Sequence, residues 1–347
     1  MKAFPLRAIF LICLSVSACI GCGKEAQTAA IRIMSYNLQT LFDPVDNGGE
    51  YEDFVVSSGL WSEALYKLRI KLLASAVLSA SLGRQPDVLV VQEAENKRVL
   101  SDLAEELGGY PHVLVSPHED AILSCGILAR LPVKTFNAHR IRPPEDGPSS
   151  VPRFVLEAEL GDRDRSLVVM AVHLKSKLGG DAQTEEERRR AAAFIKAMAE
   201  RRIAQNPHLA LVIAGDFNEN PDEYDRVDAA YPTALMLPEA GPGQWLLVSG
   251  NIEDMDGACK PLVFYEPWFD SDGYSYRYNG KDERIDHLLL SPAIVNDDAC
   301  DWSFSQFCCE APGFLLSADG TPLRWITKAA SGYSDHLPIS LLLLPRP

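Results

Sequence analysis

Leu209-Ala210-Leu211-Val212-Ile213-Ala214-Gly215-Asp216-Phe217-Asn218 sets the architecture of this chain. The apolar run at its start reads as a strand. It stops at Gly215, and two polar side chains, Asp216 and Asn218, follow at its end. The arrangement recurs in both directions along the chain. Upstream, residues 167–174 and 153–160 read as strands, the first carrying His173 near its end. Residues 122–129 form another. Pro86-Asp87 opens Val88-Leu89-Val90-Val91, a fully buried strand by composition, which runs into Gln92-Glu93. Residues 31–36 alternate apolar and polar residues and end in Ser35-Tyr36-Asn37-Leu38. Downstream, Asp286-His287 interrupts the apolar stretch 285–290, and Ser334-Asp335-His336 precedes a last strand at 339–344.

Helices fall between these strands. Ser62 caps a helix with Leu65, Leu68, Leu72 and Ala76 expected on its buried face. A second covers 97–107. Thr184, with Glu187 three residues on, has the pattern of a capping box for a helix reaching about Ile203. Several strands are adjacent in sequence, so the pattern predicts strand pairs packed into sheets with helices outside, not a doubly wound repeat. Residues 137–152 and 219–283 are the least regular. The second stretch carries Trp245, Tyr265, Trp268, Phe269, Tyr274, Tyr276 and Tyr278, expected to cover a satellite core or to grip a substrate.

Composition narrows the function. The chain has 347 residues, 47% of them hydrophobic and 23% charged, which suits one large α/β domain or two ordinary ones and excludes a disordered chain. Its net charge of −15 argues against a general basic face for nucleic acid, but leaves open an enzyme that meets phosphate through a cation. Lys2 and Arg7 precede a short apolar run from Ala8 to Ala18, which reads as a signal peptide over residues 1–18. Val16-Ser17-Ala18-Cys19 resembles the lipobox of bacterial lipoproteins, with Cys22 a poorer second candidate. The expected chain is therefore exported and anchored to a membrane by lipid on Cys19, with residues 19–30 as a tether and 31–347 as the domain. An ordinary secreted protein is the alternative. Eight cysteines include five in the body, at 125, 259, 300, 308 and 309. Export suggests a disulfide among Cys259, Cys300 and the 308/309 pair, and the one CxxC, at the signal boundary, has no second ligand pair for zinc.

Taken singly, the polar strand ends are ordinary turn residues. Taken together, Ser-Tyr-Asn-Leu (35–38), Gln-Glu (92–93), Ile-Leu-Ala-Arg-Leu-Pro (127–132), Val-His-Leu-Lys-Ser (172–176), Gly-Asp-Phe-Asn (215–218), Arg-Ile-Asp-His (284–287) and Ser-Asp-His (334–336) resemble the endonuclease/exonuclease/phosphatase superfamily. That group includes deoxyribonuclease I, abasic-site endonucleases, neutral sphingomyelinases and inositol polyphosphate 5-phosphatases. The resemblance covers residues 31–344. It implies a four-layer αββα sandwich of two packed mixed sheets, and a phosphoesterase that uses Mg²⁺ or Mn²⁺.

The resemblance also distributes roles. Glu93 corresponds to the principal metal ligand, with Asn37 beside it and Asp335 completing the shell. Asp216 orients and deprotonates the attacking water, and Asn218 donates to the phosphate or holds Asp216. His336 stabilises the phosphate in the transition state or acts as a base, oriented by Asp286. His173 donates to a phosphate oxygen or the leaving group. Hard cations take carboxylate ligands and offset charge on phosphate oxygens, so these residue types suit the chemistry. Two departures stand out. Many abasic-site enzymes have an Asp where this chain has Gln39. Deoxyribonuclease I pairs its first catalytic His with a Glu that has no placed counterpart here, Glu119 being only nearby. His287 is expected to be structural.

The substrate expected from this reading is nucleic acid, with Lys175, Lys177 and Arg188-Arg189-Arg190 meeting successive phosphates. A solvated helix face is the other reading of that run, and a phospholipid headgroup or an inositol phosphate the other substrate. No feature calls for a protein partner, and a monomer is expected. A non-catalytic surface lipoprotein is disfavoured because Glu93, Asp216, Asn218 and His336 are all present. Gly332-Tyr333-Ser334-Asp335-His336 lacks the final Gly of a serine-hydrolase elbow, and there is no P-loop.

Overall fold

The computed structural model describes residues 30–117, 122–141, 153–255 and 261–346. Its strands are β1 (Ile31–Leu41), β2 (Val88–Ala94), β3 (His112–Val115), β4 (Ser124–Ala129), β5 (Val133–Ile141), β6 (Arg153–Leu160), β7 (Leu167–His173), β8 (Leu211–Asp216), β9 (Leu235–Met236), β10 (Leu246–Ser249), β11 (Val263–Tyr265), β12 (Tyr276–Tyr278), β13 (Lys281–Glu283), β14 (Asp286–Leu290), β15 (Trp302–Cys309) and β16 (Ile339–Pro345). The helices are α1 (Glu63–Ala80), α2 (Lys97–Glu106), α3 (Asp181–Gln205), and the short α4 (Glu223–Arg226) and α5 (Pro292–Asn296). One sheet has the order β15-β16-β1-β2-β4-β3, the other β5-β6-β7-β8-β14-β11-β10-β9, and β12 and β13 make a separate hairpin. Both large sheets are mixed: β1 and β2 run parallel, as do β7 and β8, whereas β8 and β14 run antiparallel.

Strand parity builds the layers. Ile31 and Ile33 of β1, Val88 and Val90 of β2, Val169 and Ala171 of β7, and Val212 and Ala214 of β8 meet in one core between the sheets. Their alternate neighbours face outward. Met34, Tyr36, Leu89 and Val91 pack on α1 and α2, and Val168, Met170 and Ile213 pack on α3. Both faces of each central strand are thus apolar, and two sheets between helices make the αββα sandwich. Among the described residues, no helix is long and apolar enough to cross a membrane.

Several local expectations shift. The buried face of α1 is Tyr66, Ile70, Leu73, Ala76, Val77 and Ala80, with Arg69 among them; of the expected stripe Ala76 is buried, Leu65 and Leu72 are half-buried, and Leu68 is exposed. The 62 cap is present, since Leu65 N donates to Ser62 Oγ at 3.3 Å. Helix α3 begins three residues before Thr184, whose hydroxyl donates to Gly180 O at 2.9 Å rather than capping a helix end. Residues 137–141 belong to β5, and 142–152 lie outside the described residues. The stretch 219–283 is more regular than expected, because β9, β10 and β11 extend the second sheet. Tyr265 and Trp268 enter the core between the sheets. Cys125, Cys300, Cys308 and Cys309 are free thiols, so the disulfide expected between Cys300 and the 308/309 pair is absent: Cys300 is packed in the core, and Cys309 Sγ donates to Tyr274 O. Cys259, Glu119 and the expected signal and lipid-bearing segment lie outside the described residues.

Candidate active site

The parity that fills the inter-sheet core also places the polar side chains. Asn37, His173, Asp216 and Asp286 continue the inward-facing positions of β1, β7, β8 and β14 at one end of the sandwich. Register aligns three of them, because His173 pairs with Asp216 across β7 and β8, and Asp286 pairs with Asp216 across β8 and β14. Gly215, between Asp216 and the apolar run, has φ +151°, and a Cβ there would lie 1.9 Å from Val172 O. Only glycine lets the two parallel strands approach this closely.

Glu93 would point to the helical face by parity. Its φ of 63° turns it back to the strand ends, and Gln39 (φ 51°), Thr40 (φ 57°) and Asn218 (φ 52°) are also left-handed. Left-handed non-glycine residues are uncommon, and four at one end of a fold mark a functional site. A buried cation sustains two of them. Arg69 of α1 donates through Nη1 to Thr40 O at 3.0 Å and through Nη2 to Leu38 O at 2.8 Å, and also to Gln39 O. Its guanidinium lies over the Phe54 and Trp325 rings. The turn in turn fixes Glu93, whose Oε2 accepts from Thr40 N at 2.8 Å. Gln39 is not directed at the carboxylates: its amide pairs with the Trp325 backbone, accepting from Trp325 N at 2.7 Å and donating to Trp325 O at 3.2 Å.

Asn37 Nδ2 donates to Asp216 Oδ2 at 2.9 Å and to Glu93 Oε1 at 3.2 Å, while its Oδ1 accepts from Gln39 N at 2.9 Å. Asn218 holds Asp216 through its backbone, with N to Oδ1 at 2.8 Å, and its carboxamide donates to Leu174 O at 3.2 Å. His336 Nδ1 is 2.8 Å from Asp286 Oδ2, and its Nε2 is 3.9 Å from Asp216 Oδ2. His173 Nε2 lies 3.7 Å from Asp216 Oδ2 and 3.9 Å from Glu93 Oε1. Asp335 borders the same cavity, 4.0 Å from His336 Nε2, but stands outside the two tightest donor groups, Glu93–His173–Asp216 and Asp216–Asp286–His336. All eight residues singled out in the sequence therefore meet at one strand-end edge, with Asp335 at the periphery.

The charges are strongly coupled. Burial and the neighbouring Asp286 raise the Asp216 carboxyl to about 7. Burial and Asp335 also raise Glu93. Burial opposes charge on His336, but Asp286, Asp216 and Asp335 outweigh it and carry the imidazole up to about 10. Burial, then Arg153, holds His173 well below its ordinary value. Repelling carboxylates in a partly dry site suit a hard divalent cation, which is the fit expected of an oxygen donor set.

These groups open into a cavity of about 540 Å³ bordered by Glu93, Asp216, Asn218, His336, Tyr276 and Tyr278, with the 176–181 loop on one side. Tyr276 lies against His336, ring centroids 4.7 Å apart, and Tyr278 continues outward parallel to it. Nothing in the residue pattern separates these tyrosines from Tyr265 or Trp268, because strand position alone decides which aromatics face the cavity. Arg69 and Arg153 were likewise not singled out. His287 is structural: buried, it bonds Glu266 through Nδ1 and Glu219 O through Nε2 at 2.8 Å.

The fold and site together define a phosphoesterase-type sandwich. The chain belongs to the Endonuclease/Exonuclease/phosphatase family, whose model matches residues 32–230. It is similar to truncated TDP2 of Caenorhabditis elegans, at 16% identity and TM-score 0.55, covering 91% of this chain and 98% of that one. It is also similar to a mannosyl-6-phosphatase of Bacteroides thetaiotaomicron, at 14% identity and TM-score 0.56, covering 90% and 99%. TDP2 of D. rerio complexed with single-strand DNA product matches at 16% identity and TM-score 0.52, covering 91% and 99%. At these identities the likeness is one of fold. No curated protein sequence matches the chain.

Proposed function

We propose that this chain is a divalent-cation-dependent phosphoesterase that hydrolyses its substrate by attack of a water deprotonated at Asp216. The observation that carries this reading is the row His173–Asp216–Asp286 in register across three strands, with His336 bonded to Asp286 at 2.8 Å and Glu93 beside it. Glu93 and Asp335 would hold Mg²⁺ or Mn²⁺, which supplies positive charge against the phosphate oxygens when bound; Asn37, expected as a ligand, turns its Nδ2 and not its Oδ1 toward Glu93 and so positions that carboxylate. Asp216, raised to about 7, accepts the proton of water near neutral pH, where a general base works best. Asn218 keeps that carboxylate aimed through its backbone N–H. His336, charged and fixed by Asp286, neutralises the negative charge that builds on the phosphate.

Nucleic acid remains a substrate of this chemistry, but four of the five cations expected to track it, all except Lys175, are engaged elsewhere. Lys177 pairs with Glu223 at 2.6 Å, Arg188 is buried between Glu185 and Glu219, Arg190 pairs with Glu186, and Arg189 lies over Trp245. That spending favours a compact phosphoester, such as a short oligonucleotide end, a headgroup or a sugar phosphate, over a duplex laid across a basic face. Tyr276, Tyr278 and the exposed Leu178 give the cavity an apolar rim suited to such a group. We further propose that the protein is an exported, monomeric lipoprotein of the cell envelope. Purified mature protein assayed on plasmid DNA, RNA, sphingomyelin and inositol phosphates, with Mg²⁺ and with EDTA, tests the reading. Turnover of at least one substrate that EDTA abolishes is expected, and full activity in excess chelator with no bound metal overturns it.

A further inference from the structure

His173 and His336 share one cavity, but their Nδ1 atoms meet partners of opposite charge. His336 Nδ1 meets the Asp286 carboxylate at 2.8 Å, and His173 Nδ1 meets Arg153 Nη1, also at 2.8 Å. The antiparallel register of β6 and β7, with Leu156 opposite Ala171, brings Arg153 at the start of one strand beside His173 at the end of the other. A guanidinium has five N–H donors and no acceptor, so the nitrogen it touches must present a lone pair. The proton of a neutral imidazole then sits on the other nitrogen. Nε2 faces the cavity, 3.7 Å from Asp216 and 3.9 Å from Glu93, too far to donate directly to either carboxylate. His173 is 7% exposed, so few rearrangements are open to the ring.

Resting on the phosphoesterase reading above, we propose that Arg153 is a positioning residue that fixes His173 as the neutral Nε2–H tautomer. His173 is then a hydrogen-bond donor to a nonbridging phosphate oxygen and not the acid that protonates the leaving group. A carboxylate on Nδ1 would favour the charged, acid-competent ring; a guanidinium there does the reverse. In the hydrolysis, the water oxygen bonds phosphorus and its proton passes to Asp216. The bond from phosphorus to the ester oxygen breaks, and the departing oxygen takes its proton from solvent water. His173 keeps its own proton throughout.

Two measurements on the full chain with Mg²⁺ test this. The first compares a p-nitrophenyl phosphodiester with the matching benzyl ester, whose leaving groups differ widely in their need for a proton. His173→Ala and Arg153→Met are each expected to lower kcat by about ten- to a hundredfold, the size of one charge-assisted hydrogen bond, and by the same factor on both esters. A loss on the benzyl ester tenfold or more above that on the p-nitrophenyl ester makes His173 the acid and overturns the proposal. The second is nitrogen NMR of the histidine rings. An unprotonated Nδ1 and protonated Nε2 on His173 are expected in the wild-type chain, retained in Arg153→Lys and lost in Arg153→Met. A protonated Nδ1 in the wild type overturns the proposal whatever the variants do. If the wild type cleaves neither ester, nor any substrate of the wider panel, with Mg²⁺ or Mn²⁺, the phosphoesterase reading fails, while the NMR result still decides the tautomer.

Discussion

Asp216 sits between the Asn37 carboxamide, the Asn218 backbone and Asp286 across the strand pair, and it is 1% exposed. Burial beside Asp286 raises its carboxyl to about 7, which suits the role of base proposed for it. Asp216→Asn and His336→Ala are each expected to lower turnover by about 10²–10⁴-fold with the fold retained, because each removes one acid–base or charge-stabilising group. His112→Ala, on an edge strand far from these residues in the sheet order, is expected to be nearly silent in the same assay. The same charges set a pH dependence of stability. Asp216 rises from 3.8 to about 7 on folding, and His336 from 6.5 to about 10. In both windows the folded chain holds protons that the unfolded chain has released, so each contribution is complete at the lower pH and lost as pH rises. The Tm of EDTA-treated protein is therefore expected to fall from pH 5 to 9, first through Asp216 and then through His336. Mg²⁺ should raise Tm more at pH 8 than at pH 5.5, because at the lower pH it competes with protons on the raised carboxyls. A chelated protein whose Tm climbs across that range contradicts both shifts.

At the scale of elements, the site depends on strands that stop being strands at the right residue. The end of β1 turns left-handed at Gln39 and Thr40, and that turn is held from behind by Arg69 of α1. Arg69→Met would leave carbonyls of residues 38–40 buried without donors. The expected cost is about 2–4 kcal/mol in urea unfolding, with weaker Mg²⁺ binding by calorimetry as Thr40 N loses its aim at Glu93. An unchanged unfolding midpoint would show that the turn holds itself. This part of the site was not legible in the sequence. Parity was: apolar runs at 88–91, 167–172 and 209–214 announced strands buried on both faces or strongly paired, and Asn37, His173, Asp216 and Asp286 follow from continuing them. Left-handed residues announce themselves when they are glycine, and here they are Gln39, Thr40, Glu93 and Asn218. Arg69 was hidden for a related reason. Leu65, Leu68 and Leu72 of the expected stripe lie one residue out of phase with the buried face of α1, Ala76 alone being fully buried, and a buried arginine contradicts the hydrophobic rule that drew that stripe. Arg153 lay beyond sequence reasoning because its contact with His173 is set by register between neighbouring strands.

For the whole molecule, the direction in which β1 enters the sandwich bears on where the substrate comes from. The chain reaches the sheet at Ile31 and the site at Asn37, six residues later along an extended strand, so the two ends lie about 20 Å apart. A tether joined at Ile31 would therefore attach to the domain at the end opposite its cavity. That arrangement suits a phosphoester arriving in solution better than a headgroup still in its membrane, and it agrees with the internal pairing of the cations that an anionic surface would attract. The anchoring itself is expected from Val16-Ser17-Ala18-Cys19, a short apolar segment ending in small residues directly before a cysteine. One acyl chain binds a membrane only marginally, whereas several on one cysteine hold it stably. Mass spectrometry of the mature protein should find a lipidated Cys19 as its first residue, and Cys19→Ser should move the protein from the membrane to the soluble exported fraction. Because the chain enters the domain at Ile31, at the end opposite the cavity, kcat on a soluble phosphoester should be the same before and after that release. An unmodified mature terminus beyond Cys22 would show an ordinary secreted enzyme. A large change in kcat on release would show instead that the bilayer takes part in forming or feeding the site.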